Sequence, residues 1–486
     1  MTNAYCSDKY QYTMGKTFVD RGLDKTVAIF NMFYRTAPDS NNWAVVSGIN
    51  EVLEMIAGFG SCSESFFKKF LPEVSYAGFC KMLPDVRFSG DIYAMEEGQI
   101  VFPRQPVITV VAPLLQAQIL ETPLLTIMNH QMAIATKASR VTRSTNKPIS
   151  EFGSRRAHGP WAALHGAKAA YIGGCVNTSN ILATTEFGIP STGTMAHSFI
   201  TAFGCSIKSE YEAFDAYIKS HKGEGLILLV DTYDTLKSGI HNAIKAFREN
   251  GIDNAYRPFF GVRLDSGDLA YLSRKCREIL DLEGFGNCVI FASNALDEYL
   301  ISDLERQNAA IDFYGVGDAI ATSKHNPCFG NVYKMVQIGD TPVLKLSEDK
   351  AKVINPGFQV TYRIYQENEN KADVTCLRGD KLSAALEEGK EILLRDEYDQ
   401  TRTTLFKEGS YIAEKLQFKF IENGVRIRPE ITQQEKREKY LSELSRMNPT
   451  ECRIINPHYH KVDISDDLYD LKMRLIYTIK EELKHV

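Results

Sequence analysis

Between residues 226 and 318 the chain repeats one pattern four times: a short apolar run, a polar cluster, then a helix-forming stretch. The runs cover 226–230, 259–262, 289–292 and 311–316. They end in Asp231-Thr232-Tyr233-Asp234, Arg263-Leu264-Asp265-Ser266-Gly267-Asp268, Ser293-Asn294 and Gly317-Asp318. Short runs rich in Val, Ile, Leu and Phe, spaced by helix-length segments, predict buried parallel strands joined by crossovers. That is a β/α barrel or a doubly wound sheet, and in both architectures ligands bind beyond the carboxyl ends of the strands. The polar clusters fall there, so the pattern locates a candidate site before any motif is named.

Outside the repeat the patterning changes. Strands are predicted at 27–34 and within 91–112, with turns at Gly98-Gln99 and 103–106. Residues 114–141 read as one long helix that Pro123 kinks or starts. Ser150-Glu151-Phe152-Gly153 ends a further strand, 156–172 is an alanine-rich helix, and 189–198 carries another strand end, so the repeat begins near residue 147. Past Lys324, short strands are predicted at 332–338, 341–346, 360–365 and 374–377, then helices at 433–447 and 468–486. The expected fold is α/β: an irregular β/α barrel with a second, split α/β domain built mainly on antiparallel sheet. Residues 1–120 and 326–486 would form the split domain and 121–325 the barrel.

A length of 486 residues exceeds one ordinary core. The net charge of -5 argues against a nucleic-acid partner, which calls for a basic surface. No segment approaches the roughly 20 apolar residues of a membrane span, and residues 1–9 lack the plan of a secretory signal, so a cytoplasmic protein is expected. Ten cysteines without a Cys-x-x-Cys pair predict reduced thiols rather than a disulfide framework or zinc site. His458 and His460 carry only a weak metal signal and read as surface or packing histidines; no metal site of the protein's own is expected.

Chemistry concentrates at the strand ends. Gly193-Thr194-Met195-Ala196-His197-Ser198 sets a histidine between hydroxyls, and Asp231 at the next strand end could orient the imidazole and raise its nucleophilicity. Alone, His197 reads rather as a hydrogen-bonded structural residue, and the neighbours shift that reading. Arg263 offers a planar fork for carboxylate or phosphate, and Asp265 suits ribose hydroxyls or Mg2+. The bland reading of that turn is an Arg-Asp pair with Asp268 as helix N-cap. Gly315-Val316-Gly317-Asp318 precedes a helix whose amides could cradle phosphate, although a lone Gly-x-Gly is weak evidence. Of Arg155 and Arg156, one could pair with Glu151 and leave the other for an anion.

Together Glu151-Phe152-Gly153-Ser154-Arg155-Arg156-Ala157, Gly193 to Ser198, Val230-Asp231-Thr232-Tyr233-Asp234-Thr235 and Gly261-Val262-Arg263-Leu264-Asp265-Ser266-Gly267-Asp268 resemble the nicotinate phosphoribosyltransferase family, with Asp8-Lys9-Tyr10-Gln11 similar to its amino-terminal motif. The resemblance runs over nearly the whole chain. It implies a type II phosphoribosyltransferase that makes nicotinate mononucleotide and pyrophosphate from nicotinate and phosphoribosyl pyrophosphate (PRPP), with ATP as co-substrate and Mg2+ accompanying ATP and PRPP. It further implies a homodimer with a shared active site. By the same resemblance His197 is phosphorylated by ATP and Asp231 is an essential acid near it. Tyr10 of a second subunit would stack on the pyridine ring, and Arg155, Thr194, Ser198 and Arg263 would bind nicotinate. Asp265, Ser266, Gly267, Asn294, Gly315, Gly317 and Asp318 would hold the phosphoribosyl group.

One departure stands out: the family usually has Thr where this chain has Asp318. A carboxylate about 4 Å from a phosphate at an effective dielectric near 20 costs about 4 kcal/mol per charge pair. Either Asp318 turns away, or a metal or Lys324 compensates, or substrate use has shifted; the first is the expectation. The rival readings are nicotinamide phosphoribosyltransferase, whose corresponding turn typically reads Arg-Pro-Asp-Ser-Gly-Asn, a non-catalytic ligand-binding paralogue, and an unrelated barrel enzyme acting on sugar phosphates.

Overall fold

The computed structural model of the chain describes residues 5–347, 353–397, 399 and 401–485. Residues 1–4, part of the segment read above for a signal, and Val486, the expected end of the last helix, lie outside the described residues. Contacts divide the chain into two compact units: Ile134–Pro327, and Met1–Ala133 together with Cys328–Val486.

The first unit is built on β1 (Ile149–Glu151), β2 (Asn177–Thr178), β3 (Leu226–Leu229), β4 (Phe260–Leu264), β5 (Val289–Ala292) and β6 (Phe313–Val316). The neighbour order is β2-β1-β6-β5-β4-β3 and the pairings are parallel. All four residues of β3 are buried, as the unbroken apolar run predicts for a strand covered on both faces. Each fully buried Leu or Ile there contributes roughly 1.5–3 kcal/mol. β2 and β3 are the two edges. Beyond β2 a parallel bridge joins Thr178 to Ser191, and among the described residues no ladder continues from there to β3. The hydrogen bonds therefore define a mixed α/β fold with a parallel sheet rather than a closed ladder. The strand end expected at 189–198 is reduced to that bridge, in which Thr178 N donates to the Pro190 carbonyl and Thr192 N to the Thr178 carbonyl, and a short helix, His197–Thr201, takes its end.

Capping explains where the crossover helices start. Asp268 accepts from Tyr271 N at 2.9 Å ahead of Leu269–Leu282, and Asp297 accepts from Leu300 N at 2.9 Å ahead of Glu298–Arg306. Each cap is worth about 1 kcal/mol. Leu269–Leu282 then buries Leu269, Ala270, Ser273, Cys276 and Leu280, one face of the helix. The helix expected at 156–172 starts later, at Pro160, because a proline disfavours helical geometry in the residue before it. A single 3-10 turn, Ser154–Arg156, precedes it. Likewise the helix expected at 114–141 is two, Leu114–Ile119 and Glu121–Thr142, with Pro123 in the first turn of the second, where its missing N–H leaves no bond unmade.

In the second unit, Val27–Tyr34 sits between Asn331–Ile338 and Ile108–Pro113 in a seven-stranded antiparallel sheet, so early and late segments of the chain share one ladder. The strand expected at 341–346 shrinks to Thr341–Pro342. A second sheet of six strands contains the hairpin of Gln359–Gln366 with Glu369–Leu377 and one parallel pairing, to Val462–Ile464. Here one expectation is corrected in part. His460 packs, but not at the surface: its side chain is 1 % exposed, 3.5 Å from Asp373 and 3.1 Å from Glu451, and its ring stacks on Phe102.

Candidate active site

The polar clusters at the ends of β3, β4 and β5 meet around one imidazole. His197 opens the short helix His197–Thr201, and its side chain is 44 % exposed. Its Nδ1 lies 3.1 Å from Thr232 Oγ1. On the other side Nε2 faces Asp231 Oδ1 at 3.9 Å and Asp265 Oδ2 at 3.8 Å. Asp231 therefore does not hydrogen-bond the ring as expected, because its other oxygen is engaged elsewhere: Oδ2 accepts from Asp265 N at 3.0 Å and from Ser266 Oγ at 2.5 Å. That leaves Asp231 Oδ1 buried without a hydrogen-bond partner, an arrangement that suits an incoming cation or proton donor.

Arg263 lies near the end of β4, where strand alternation sends its side chain to the face opposite its buried neighbours. Its Nη1 donates to Thr194 Oγ1 at 2.6 Å and to the Met195 carbonyl at 3.2 Å, while Nη2 stands 3.7 Å from Asp265. The buried Nε has no partner. Burial pulls the guanidinium pKa down; Asp265 and Asp231 oppose this, and the neighbouring positive charge of Arg155 adds to it. Arg155 is exposed. Both arginines thus stand near each other with their charges incompletely compensated, which favours an anionic ligand. Neither Arg155 nor Arg156 is held by Glu151, contrary to one expected pairing: Glu151 is buried and accepts from Thr178 Oγ1 at 2.5 Å and from Gly153 N.

The floor is fixed by hydroxyls and backbone. Ser293 donates to Asp265 Oδ1 at 2.5 Å, and Asn294 and Ala295 follow with φ of 89° and 50°. Two successive non-glycine residues in that region store on the order of 1 kcal/mol each, strain typical of ligand-binding turns. Gly239 ends a π-helical turn, Thr235–Gly239, and the Val230 carbonyl stands where a side chain would begin, so only glycine fits behind Asp231. Gly315 lies within β6, buried between the rings of Phe152 and Phe291, so packing explains that glycine. Gly317 precedes Asp318–Ala321 and lies against the Phe152 carbonyl. Among the described residues no side chain engages the Asp318 carboxylate; Lys324 instead points to Asp297 at 4.0 Å.

Family models match along almost all of this chain. Residues 6–129 match the nicotinate phosphoribosyltransferase (NAPRTase) N-terminal domain, 148–363 the NAPRTase family and 358–472 its C-terminal domain. A nicotinate phosphoribosyltransferase of Bacillus subtilis (strain 168) is 37 % identical over 98 % of this chain and 96 % of its own length. The chain belongs to the nicotinate phosphoribosyltransferase family. Another member, from Dictyostelium discoideum, is 32 % identical over 96 % of this chain and 86 % of its own. The fold is also that of human nicotinic acid phosphoribosyltransferase, with a TM-score of 0.82 at 24 % identity over 96 % of this chain and 99 % of that one.

Within this family member, Thr194, His197, Asp231, Arg263, Asp265 and Ser266 form one connected set of contacts. Ser198, Gly267 and Asn294 are exposed beside members of that set. Asp268 is the helix cap described above. Tyr10 belongs to the other unit, on the helix Lys9–Asp20, and is 47 % exposed. Sequence reasoning assigned no role to Thr232 or Ser293, which touch His197 and Asp265 directly. Their signal was their place in the strand-end clusters, each a hydroxyl next to a residue already singled out.

Proposed function

We propose that the chain transfers the phosphoribosyl group of PRPP to nicotinate, releasing pyrophosphate and forming nicotinate mononucleotide for NAD biosynthesis, with ATP hydrolysis coupled through phosphorylation of His197. The observation that carries this reading is the half-exposed imidazole between a hydroxyl and two carboxylates, with Arg263 at its side. In the reaction the pyridine nitrogen bonds to ribose C1 as the C1–O bond breaks, and both electrons leave with pyrophosphate. Positive charge gathers on the ribose while an anion departs, so the chain must hold anions and position a ring.

In this reading Arg155, Thr194, Ser198 and Arg263 hold nicotinate, and Tyr10 of a second subunit in a homodimer stacks on its ring. Asp265, Ser266, Gly267, Asn294 and the backbone at Gly315, Gly317 and Asp318 hold the phosphoribosyl side. Among the described residues no cluster of three or more His, Cys, Asp or Glu side chains is arranged for a metal ion. Mg2+ would come with the phosphates of ATP and PRPP, neutralising their charge, and Asp231 Oδ1, which has no hydrogen-bond partner, is a protein oxygen that suits it, with Asp265 Oδ2 beside His197 and Arg263. We also infer that segment 191–196 completes β1 to β6 as an irregular barrel. No helix among the described residues is long and apolar enough to cross a membrane, and we place the protein in the cytoplasm, where its substrates are dissolved.

The test supplies nicotinate, PRPP, Mg2+ and γ-labelled ATP. Nicotinate mononucleotide should accumulate, ATP should speed it, and acid-labile label should appear on His197 and vanish in His197→Ala. Turnover of nicotinamide in preference to nicotinate would move the assignment to the nicotinamide enzyme. Nicotinate binding without pyrophosphate release would leave a non-catalytic paralogue, and full turnover with no labelled histidine would remove the phosphohistidine.

A further inference from the structure

The unit formed by the two ends of the chain contains a cavity of about 330 Å³ lined by none of the residues discussed above. Its size is at the lower end of small-molecule sites. Three segments supply its apolar wall. The helix Ile49–Ala57 supplies Ile49 and Leu53; the hairpin of Phe418–Glu422 and Val425–Arg426 supplies Phe420; and Ile431 lies just ahead of the helix Gln433–Ser445. The hairpin turns on Asn423-Gly424, with φ of 48° and 79°, the residue pair that a tight two-residue turn demands. Thr432 and Glu435 form a capping box that starts the following helix. Rigid, locally determined elements therefore hold the walls apart.

The polar lining decides what fits. Three acidic residues, Glu96, Glu97 and Glu430, and three basic ones, Arg426, Arg428 and Lys436, face this cavity. Most are paired with one another. Lys436 lies 2.7 Å from Glu97 and 3.1 Å from Glu430. Glu96 takes Arg428 at 2.6 Å and also Lys439, and the Arg428 guanidinium covers the Phe418 ring at 4.2 Å. Arg426 is different. Its Nε donates to the Arg428 carbonyl at 2.8 Å and its Nη1 to Asn50 Oδ1 at 2.9 Å, and among the described residues no carboxylate pairs with it. Two neutral acceptors fix the orientation of this guanidinium and leave Nη2 and the full charge to a ligand. The other groups limit that ligand to a single negative charge: a phosphate dianion or polyphosphate would face three glutamates with one unpaired cation to answer it.

We propose that this cavity is a binding site, separate from the His197 cluster, for a small ring-bearing organic monocarboxylate whose ring lies on Ile49, Leu53, Phe420 and Ile431 and whose carboxylate pairs with Arg426. The probe is 2-naphthoate, with 2-naphthamide and 2-naphthyl phosphate as the neutral and dianionic analogues, titrated by fluorescence into the full-length protein. Since an aromatic acid also resembles the proposed substrate, the titration is run on native protein, Arg426→Gln and Arg263→Gln. A charge-assisted hydrogen bond to a carboxylate corresponds to about tenfold to hundredfold in affinity. Arg426→Gln should weaken 2-naphthoate by that factor, 2-naphthamide should bind native protein no better than 2-naphthoate binds Arg426→Gln, and the phosphate ester should bind more weakly than the carboxylate. Arg426 is exposed at the rim, so its replacement should leave the melting temperature unchanged. Ile431→Trp, which fills the mouth from a part-exposed position, should abolish the same binding. Equal affinity in native protein and Arg426→Gln, loss of binding only in Arg263→Gln, or preference for the phosphate ester would each overturn the proposal.

Discussion

His197 and His460 have nearly the same neighbours and opposite circumstances. Each stands beside two carboxylates with an arginine close by: Asp231, Asp265 and Arg263 for one, Asp373, Glu451 and Arg363 for the other. The side chain of His460 is 1 % exposed and that of His197 44 %. Around His460 the charges close on one another: Arg363 grips Asp373 through Nε at 2.9 Å and Nη2 at 2.8 Å, and it also reaches Glu443 and the Ile100 carbonyl. Around His197 the carboxylates stand back, Asp231 Oδ1 lacks a partner and Arg263 Nε lacks one too. The same inventory makes a joint of the fold when sealed and clamped by an arginine, even with His460 Nε2 left 3.5 Å from its carboxylate, and a candidate reaction centre when open and incomplete.

The largest test of that contrast is Arg363→Met. Removing one partner of a buried, bidentate pair leaves Asp373 charged and desolvated, and should cost about 3–5 kcal/mol in urea unfolding; a loss under about 1 kcal/mol would mean that the sealed cluster does not hold the fold. On the open side, Thr232→Val removes the hydroxyl at His197 Nδ1 and should slow labelling of His197 by ATP about two- to tenfold, the value of one net hydrogen bond. Its melting temperature should not change, and unaltered labelling would show that the ring needs no positioning.

The next effect is a slope. Burial pulls the His460 pKa down, but hydrogen bonds and charge from Asp373 and Glu451 outweigh it and leave the value raised. A raised histidine contributes stability that is fully present below the unfolded value of about 6.5 and is lost as pH rises through the folded value. Asp463 also loses stability with rising pH, since burial pushes its carboxyl up to about 6, so its contribution is largely spent below that window. The unfolding free energy should therefore fall above about pH 6.5 in the native chain, and His460→Gln should flatten that fall. An unchanged slope would place the titration elsewhere. The smallest effect is expected from Asp318→Thr, which should shift PRPP affinity by less than about threefold if the carboxylate stays turned from the phosphate. Tightening by orders of magnitude would reveal repulsion in the native chain, and weakening would reveal an acid that contributes to binding.

Particular residues show how far the chain could be read without coordinates. The buried strands at Leu226–Leu229 and Phe260–Leu264 were legible because an apolar run between turn residues is a local signal, and Asp268 was legible as a cap because capping involves residues three apart. The break at Leu120 was not, since Pro123 is compatible with either a kink or a first turn and propensity does not choose. His458 and His460 sit two apart in a polar stretch, and nothing local shows that only the second is drawn into the core by Asp373 and stacked on Phe102.

Local order along the chain determined the strands, their caps, and the polar residues that gather at strand ends, because periodicity, turn chemistry and capping act over a few residues. Only tertiary structure decided which of those residues touch. Thr232 reaches His197 across 35 positions, Ser266 takes Asp231 across 35, and Ser293 takes Asp265 across 28. Such partners are chosen by how parallel strands align and how their loops fold over one rim, and hydrogen bonds of a few ångströms depend on geometry that no spacing in the sequence specifies.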